Sequence, residues 1–227
     1  MGRITGGSMG LIWLSMRFLL VFLLSLPLAA EGGFVPLFDG KTLDGWFIVN
    51  KQGPGFLVRN GSIVCPLDGG QKLMTAKEYG NFVLRLAFKL EADSNNGIGI
   101  RAPRDGQTSV HGMEIQILDQ TGPKYGPMKL KPEQYHGSIY DVWPARTGFL
   151  KKPGEWNEQE IRADGRRITK RLNGVTILDA NLDDVKEPEV LKKHPGLARP
   201  AGHIVLLGHQ AYAEFRDIRI LELPTSR

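Results

Sequence analysis

Gly97-Ile98-Gly99-Ile100-Arg101, followed by Met113-Glu114-Ile115-Gln116-Ile117-Leu118-Asp119, decides how this chain folds. In the first run the odd positions are Gly, Gly and Arg, and the even ones are Ile. In the second, Met113, Ile115 and Ile117 share one face, and Glu114 and Gln116 share the other. A period of two is the mark of a half-buried β-strand, whose successive side chains point to opposite sides of a sheet. The isoleucine face is core. The opposite face carries a guanidinium, a carboxylate and a carboxamide beside glycines that clear the space above the backbone. Planar hydrogen-bonding groups over a cleared floor suit a sugar, whose hydroxyls point in fixed directions. A wetted outer face with an Arg101–Glu114 cross-strand pair fits these two strands as well.

Strand-like runs extend outward from here, at 46–49, 55–59, 62–65, 82–90, 97–101, 113–118, 137–141, 157–163, 167–172, 175–178, 203–208 and 213–222. Phe82, Leu84, Leu86 and Phe88 alternate with Val83, Arg85, Ala87 and Lys89. Asn60-Gly61, Asp164-Gly165 and Asn173-Gly174 are tight hairpin signals. Helical periodicity is confined to a short turn between Asp183 and Lys193, ended by Pro195-Gly196. Many short strands at regular spacing predict an all-β sandwich or jelly roll. Loops at 102–111, 119–136, 142–156 and 183–201 are long enough to shape a binding mouth.

At the amino end, Met16-Arg17 precedes an apolar run from Phe18 to Leu26, then Pro27-Leu28-Ala29-Ala30. A basic residue, a short apolar core and small residues at the end read as a secretory signal peptide over residues 1–30. The run falls short of the roughly 20 residues that span a bilayer, so no stable membrane anchor is expected after cleavage. Residues 31–227 then form one domain, periplasmic or secreted. Losing Arg3 and Arg17 lowers the formal charge from +5 to +3. The basic residues are scattered pairs such as Lys151-Lys152 and Lys192-Lys193, not the concentrated stripe that nucleic acid requires. The single Cys65 excludes an intramolecular disulfide, and between a strand and a turn it reads as a buried, inert thiol.

Seven segments occur in a specific order: Leu37-Phe38-Asp39-Gly40-Lys41-Thr42-Leu43-Asp44-Gly45-Trp46, Gly112 to Asp119, His136-Gly137-Ser138-Ile139-Tyr140-Asp141, Gly154-Glu155-Trp156-Asn157, Leu172-Asn173-Gly174, Gly202 to His209, and Phe215-Arg216-Asp217-Ile218-Arg219-Ile220. This set resembles the 3-keto-disaccharide (3-keto-glycoside) hydrolase family, once designated DUF1080, over roughly residues 34–223. The resemblance implies a concanavalin-like, laminin-G-like β-sandwich, activity on oxidised glycosides outside the cytoplasm, and a sugar 3-dehydrogenase upstream to make the ketone. It also places His209 at the binding face. In one respect the chain departs from the family, which reads Leu-Gln-x-His-Gly where this chain has Leu206-Leu207-Gly208-His209-Gln210. Leu207 removes an amide from the implied site.

The residue types fit two reactions. A 3-keto sugar has an acidified hydrogen at C2, so a base can remove it and expel the C1 substituent, after which water adds back. Glu114 or His209 is the candidate base, Arg101 the enolate partner, and His136 or Tyr140 the group serving the leaving oxygen. The alternative is a carboxylate pair, Glu114 with Asp119 or Asp141. Because Glu114 and Asp119 fall on opposite faces of one strand, elimination is preferred. Gln116, Asn95, His136, Tyr140 and Trp143 are the candidate substrate contacts, Trp143 because it lies in a loop where its ring can stack on a sugar. His194 reads as an exposed loop residue. There is no His-x-His or Asp-rich loop, so neither metal nor cofactor is expected. A non-catalytic carbohydrate-binding module is the second functional class, since sandwiches serve lectins and glycosidases alike.

Overall fold

The alternating runs become strands of two antiparallel sheets in the computed structural model, which describes residues 1–2 and 31–224. In chain order the strands are β1 (Val35–Pro36), β2 (Trp46–Gln52), β3 (Leu57–Arg59), β4 (Ser62–Cys65), β5 (Gly70–Tyr79), β6 (Phe82–Leu90) and β7 (Asn95–Ala102). Then come β8 (Met113–Leu118), β9 (Trp156–Asp164), β10 (Arg167–Leu172), β11 (Val175–Asn181), β12 (Gly202–His209) and β13 (Ala213–Glu222). Two short helices, α1 (Thr108–His111) and α2 (Pro188–Lys193), lie in the long connections. One sheet runs β11-β10-β9-β6-β13-β4-β3, with β1 pairing to β13; the other runs β2-β5-β12-β7-β8. The expected leader lies, for residues 3–30, outside the described residues. No described helix is long and apolar enough to cross a membrane.

The inner faces meet in one core. Phe82, Leu84, Phe88, Ile161, Ile168 and Phe215 of the larger sheet pack against Leu73, Ile98, Ile115, Ile117, Ile204 and Leu206 of the smaller. Each is essentially buried, and each such side chain removed from water is worth about 1.5–3 kcal/mol. The hairpins form where Asn-Gly requires them. Asn60 and Gly61 have φ of 51° and 76°, and Asn173 and Gly174 of 49° and 85°, the two left-handed residues a type I′ turn needs.

Three readings of the sequence are corrected. β5, a central strand, was not expected, because Gln71-Lys72-Leu73-Met74-Thr75-Ala76-Lys77-Glu78 has helix-forming composition and no clean alternation. The expected strand at 137–141 shrinks to a bridge, Ile139 with Ile115 at the edge of the smaller sheet. His194 is buried rather than exposed, its Nδ1 lying 2.7 Å from the Ser109 carbonyl.

Candidate active site on the outer face of the smaller sheet

Register places two rows of side chains on the outer face. One runs Phe47, Met74, Val205, Gly99, Glu114, and the next runs Val49, Lys72, Leu207, Gly97, Gln116. Half of this face is a second apolar cluster of Met74, Ala102, Val205 and Leu207, with Phe47 and Val49 against it. The 103–111 segment closes over that half. Thr108 sits so near Gly99 that a Cβ there would be 2.6 Å from Thr108 Cγ2, and Lys72 Nζ donates to the Gly106 carbonyl. Leu207 therefore faces outward, as its parity with His209 requires.

The other half is polar. Glu114 leans over Gly97, where a Cβ would come within 2.3 Å of Glu114 Oε1. The glycine is thus the space the carboxylate occupies. His209, at the end of β12, brings Nε2 to 3.7 Å from Glu114 Oε1. The carboxylate side chain is 9% exposed and the imidazole 51%, so a buried base candidate and an accessible partner meet at one edge. Gln116 Nε2 donates to Asn95 Oδ1 over 3.4 Å, and Asn95 Nδ2 to Tyr125 Oη over 3.2 Å. Gln116 Oε1 is buried and has no donor among the described residues. An acceptor left so costs about 1–3 kcal/mol until a donor reaches it, which a substrate hydroxyl would do.

Tyr140 completes the group. Ile139 pairs with Ile115, and Tyr140 N–H donates to the Glu114 carbonyl over 2.9 Å. Because Ile115 and Ile139 both face the core, period-two alternation sets Tyr140 beside Glu114 on the outer face. Its hydroxyl oxygen accepts from Gln134 Nε2 over 3.4 Å; the same nitrogen donates to Asp141 Oδ1 over 2.9 Å, and Lys193 Nζ donates to Asp141 Oδ2 over 2.6 Å. With Gln134 as donor, the Tyr140 proton is left for another acceptor. Burial first, then the Asp141 and Glu114 charges, raise the Tyr140 pKa above its ordinary value, so the phenol keeps its proton at neutral pH.

Glu114, His209, Gln116, Asn95 and Tyr140 are thus brought together, whereas three expected residues are not. Arg101 is 1% exposed and turned away, its Nε donating to the Gly80 carbonyl and Nη2 to Asn81 Oδ1. The cause is a bulge. Val205 pairs with Gly99 but His203 with Ala102, so β7 carries one extra residue there. Arg101 takes a left-handed φ of 49°, and the alternation is lost. His136 is buried in the core, its ring stacked on Phe88 with centroids 5.5 Å apart and Nδ1 accepting from Leu118 N–H. The φ of 90° at Gly137 breaks the parity between His136 and Tyr140. Trp143 pairs back onto Ile139 and lines a different cavity with Asp141, Val185 and Lys193. Tyr125 and Gln134 were missed, since both sit in the irregular 119–136 connection, where no period marks them. Cys65 is buried as expected, which pushes its thiol up to about 12. Among the described residues no group of three or more His, Cys, Asp or Glu is placed to hold a metal ion.

Residues 33–221 match the profile of the 3-keto-alpha-glucoside-1,2-lyase-like domain. The chain belongs to this family. A protein of Bacteroides thetaiotaomicron (strain VPI-5482), named 3-keto-disaccharide hydrolase, is 26% identical over 180 residues, which is 70% of this chain and 62% of that protein. The lyase-like domain thus spans less than two thirds of that relative's length. A solved structure from Parabacteroides distasonis ATCC 8503, carrying a provisional glycosyl hydrolase name, superposes with a TM-score of 0.69 at 28% identity, covering 84% of this chain and 99% of that one. The VIP36 exoplasmic/lumenal domain, a Ca2+/Man3GlcNAc-bound form, gives 0.54 at 11% identity over 86% and 90%, a likeness of sandwich fold alone.

Proposed function

We propose that this domain cleaves the glycosidic bond of 3-keto-glycosides by elimination across C1 and C2, followed by hydration, and that it does so outside the cytoplasm. The observation that carries the reading is the Glu114–His209 pair set over Gly97, beside a tyrosine that keeps its proton. Glu114 takes the C2 proton, with His209 beside it to hold the charge and pass the proton on. The C2–H electron pair becomes the C1–C2 double bond, and the C1–O bond breaks. Tyr140 gives its proton to the departing oxygen. Water then adds its oxygen at C1 and a proton at C2, so the net change is hydrolysis to a 3-keto sugar. Gln116 and Asn95 hold the ring hydroxyls. The family's own name carries a 1,2-lyase, the bond change this scheme requires.

In the carboxylate-pair alternative both candidate second acids are already engaged. Asp119 Oδ1 accepts from Thr121 and Oδ2 from the Asp93 N–H, while Asp141 is held between Gln134 and Lys193. Incubation with 3-keto-trehalose or 3-keto-lactose and analysis of the sugars tests the proposal. Cleavage of the keto-disaccharide, with the unoxidised disaccharide left intact, is expected. Recovery of the keto-disaccharide unchanged would overturn the proposal, and binding without cleavage would mean a carbohydrate-binding module instead.

A further inference from the structure

Arg101 leaves the outer face but gains a different setting. It is the largest fully buried side chain of the domain, it holds a left-handed φ that non-glycine residues rarely adopt, and it has no carboxylate partner among the ion pairs of the described residues. Its Nε and Nη2 groups tie down the β5–β6 turn at Gly80 and Asn81, while Nη1 donates no hydrogen bond among the described residues. A buried cation in this state is unfavourable unless something of opposite charge reaches it.

What lies beside it raises the positive charge further. Arg101 borders a cavity of about 500 Å³ at the end of the sandwich, lined also by Gly80, Asn81, Arg166 and Arg199 and by no acidic residue. Arg199 Nε donates to the Arg101 carbonyl and forms no ion pair among the described residues. Arg166 pairs through Nε with Asp183 at 2.9 Å and donates through Nη1 to the Leu197 carbonyl. The remaining acid nearby, Asp164, is taken up by Arg162 at 2.6 Å. Burial first, then the Arg166 charge, lower the Arg101 pKa from its ordinary value, and the Asp164 charge opposes them without cancelling the shift. Three guanidinium groups thus border one cavity with a deficit of negative charge.

We propose that this cavity is a binding site for a small oxyanion, phosphate or sulfate, either free or carried on a charged sugar. Guanidinium forks match the paired oxygens of such groups, and the anion supplies the charge that Arg101 lacks. The site is separate from Glu114 and independent of the reaction proposed there.

Isothermal titration of the whole domain with phosphate and sulfate, at an ionic strength held constant with chloride, tests it. Arg101→Met risks the fold, so Arg166→Gln and Arg199→Gln are the variants to use, each checked by thermal melting and by turnover of a 3-keto-disaccharide. Saturable binding to the parent domain, weakened at least tenfold in either variant with melting and turnover unchanged, is the expected result. Glucose 6-phosphate binding at least tenfold more tightly than inorganic phosphate would identify the charged sugar as the ligand; equal affinity would identify the free anion. No saturable binding of any of the three, or binding that survives in both variants, would overturn the proposal and leave Arg101 as a strut for the β5–β6 turn.

Discussion

Glu114→Gln preserves the shape that Gly97 accommodates and removes the base. A positioned general base contributes about 10²–10⁴ in rate, so a loss of that order in kcat is expected, with an unchanged circular dichroism spectrum. Because His209 Nε2 and Glu114 Oε1 lie 3.7 Å apart, the two residues act as a unit. Combining Glu114→Gln with His209→Ala should therefore cost little more than the worse single change, as coupled residues do. Fully additive losses in steady-state kinetics would separate their roles. Tyr140→Phe bears on the other end of the reaction. It should slow cleavage of keto-disaccharides, whose alkoxide needs a proton on leaving, far more than cleavage of a 3-keto-glucoside with a nitrophenol leaving group. Equal slowing of both substrates would remove Tyr140 from the proton transfer.

At the scale of elements, Gly97 is the position where strand geometry and chemistry meet. Gly97→Ala puts a methyl 2.3 Å from Glu114 Oε1, so the carboxylate must swing away. Turnover should fall at least tenfold, the equivalent of 1.4 kcal/mol, while the melting temperature changes little; retained activity would show that Glu114 works from another rotamer. The same geometry explains what could be read in advance. On β8 and β12 alternation is unbroken, so Glu114, Gln116, Leu207 and His209 could be assigned to the outer face from sequence. On β7 the extra residue opposite Ile204 turns Arg101 around, and nothing in Gly99-Ile100-Arg101-Ala102 announces a bulge. Gly137 does the same to His136, because its left-handed φ rotates the chain between His136 and Tyr140. β5 was hidden by its composition, and Tyr125 and Gln134 by the absence of any period in the connection that carries them. The Leu207 departure from the family pattern lies, with Met74 and Val205, in the apolar half of the floor that the 103–111 segment covers.

For the molecule as a whole, the core holds an unusual ionisable group. Lys170 is fully buried, with Nζ 3.5 Å from His136 Nε2 and 6.0 Å from the Phe88 ring centre. His136 Nδ1 accepts from the Leu118 N–H, so the neutral ring carries its proton on Nε2 and offers it to an uncharged amine. Burial lowers the Lys170 pKa from 10.5 to about 7, and burial with the Lys170 charge holds His136 well below 6.5. Between pH 7 and 10.5 the unfolded chain binds more protons at Lys170 than the folded one, so this residue makes stability rise with pH across that window. Below pH 7 its penalty is fully present. His136 adds a further loss as pH falls below 6.5, where the unfolded ring takes up a proton and the buried one does not. Lys170→Met should therefore raise the melting temperature below pH 7 and flatten its rise toward pH 10. A parallel pH profile for parent and variant in thermal melts would show that Lys170 stays charged in the core.

The elimination scheme makes breaking of the C2–H bond part of catalysis, and a 3-keto-disaccharide deuterated at C2 of the oxidised ring reads that step directly. A primary isotope effect on kcat/KM is expected for the parent domain. Cleavage at the same rate for both isotopologues, with no more than a secondary effect, would contradict it and favour direct displacement at C1.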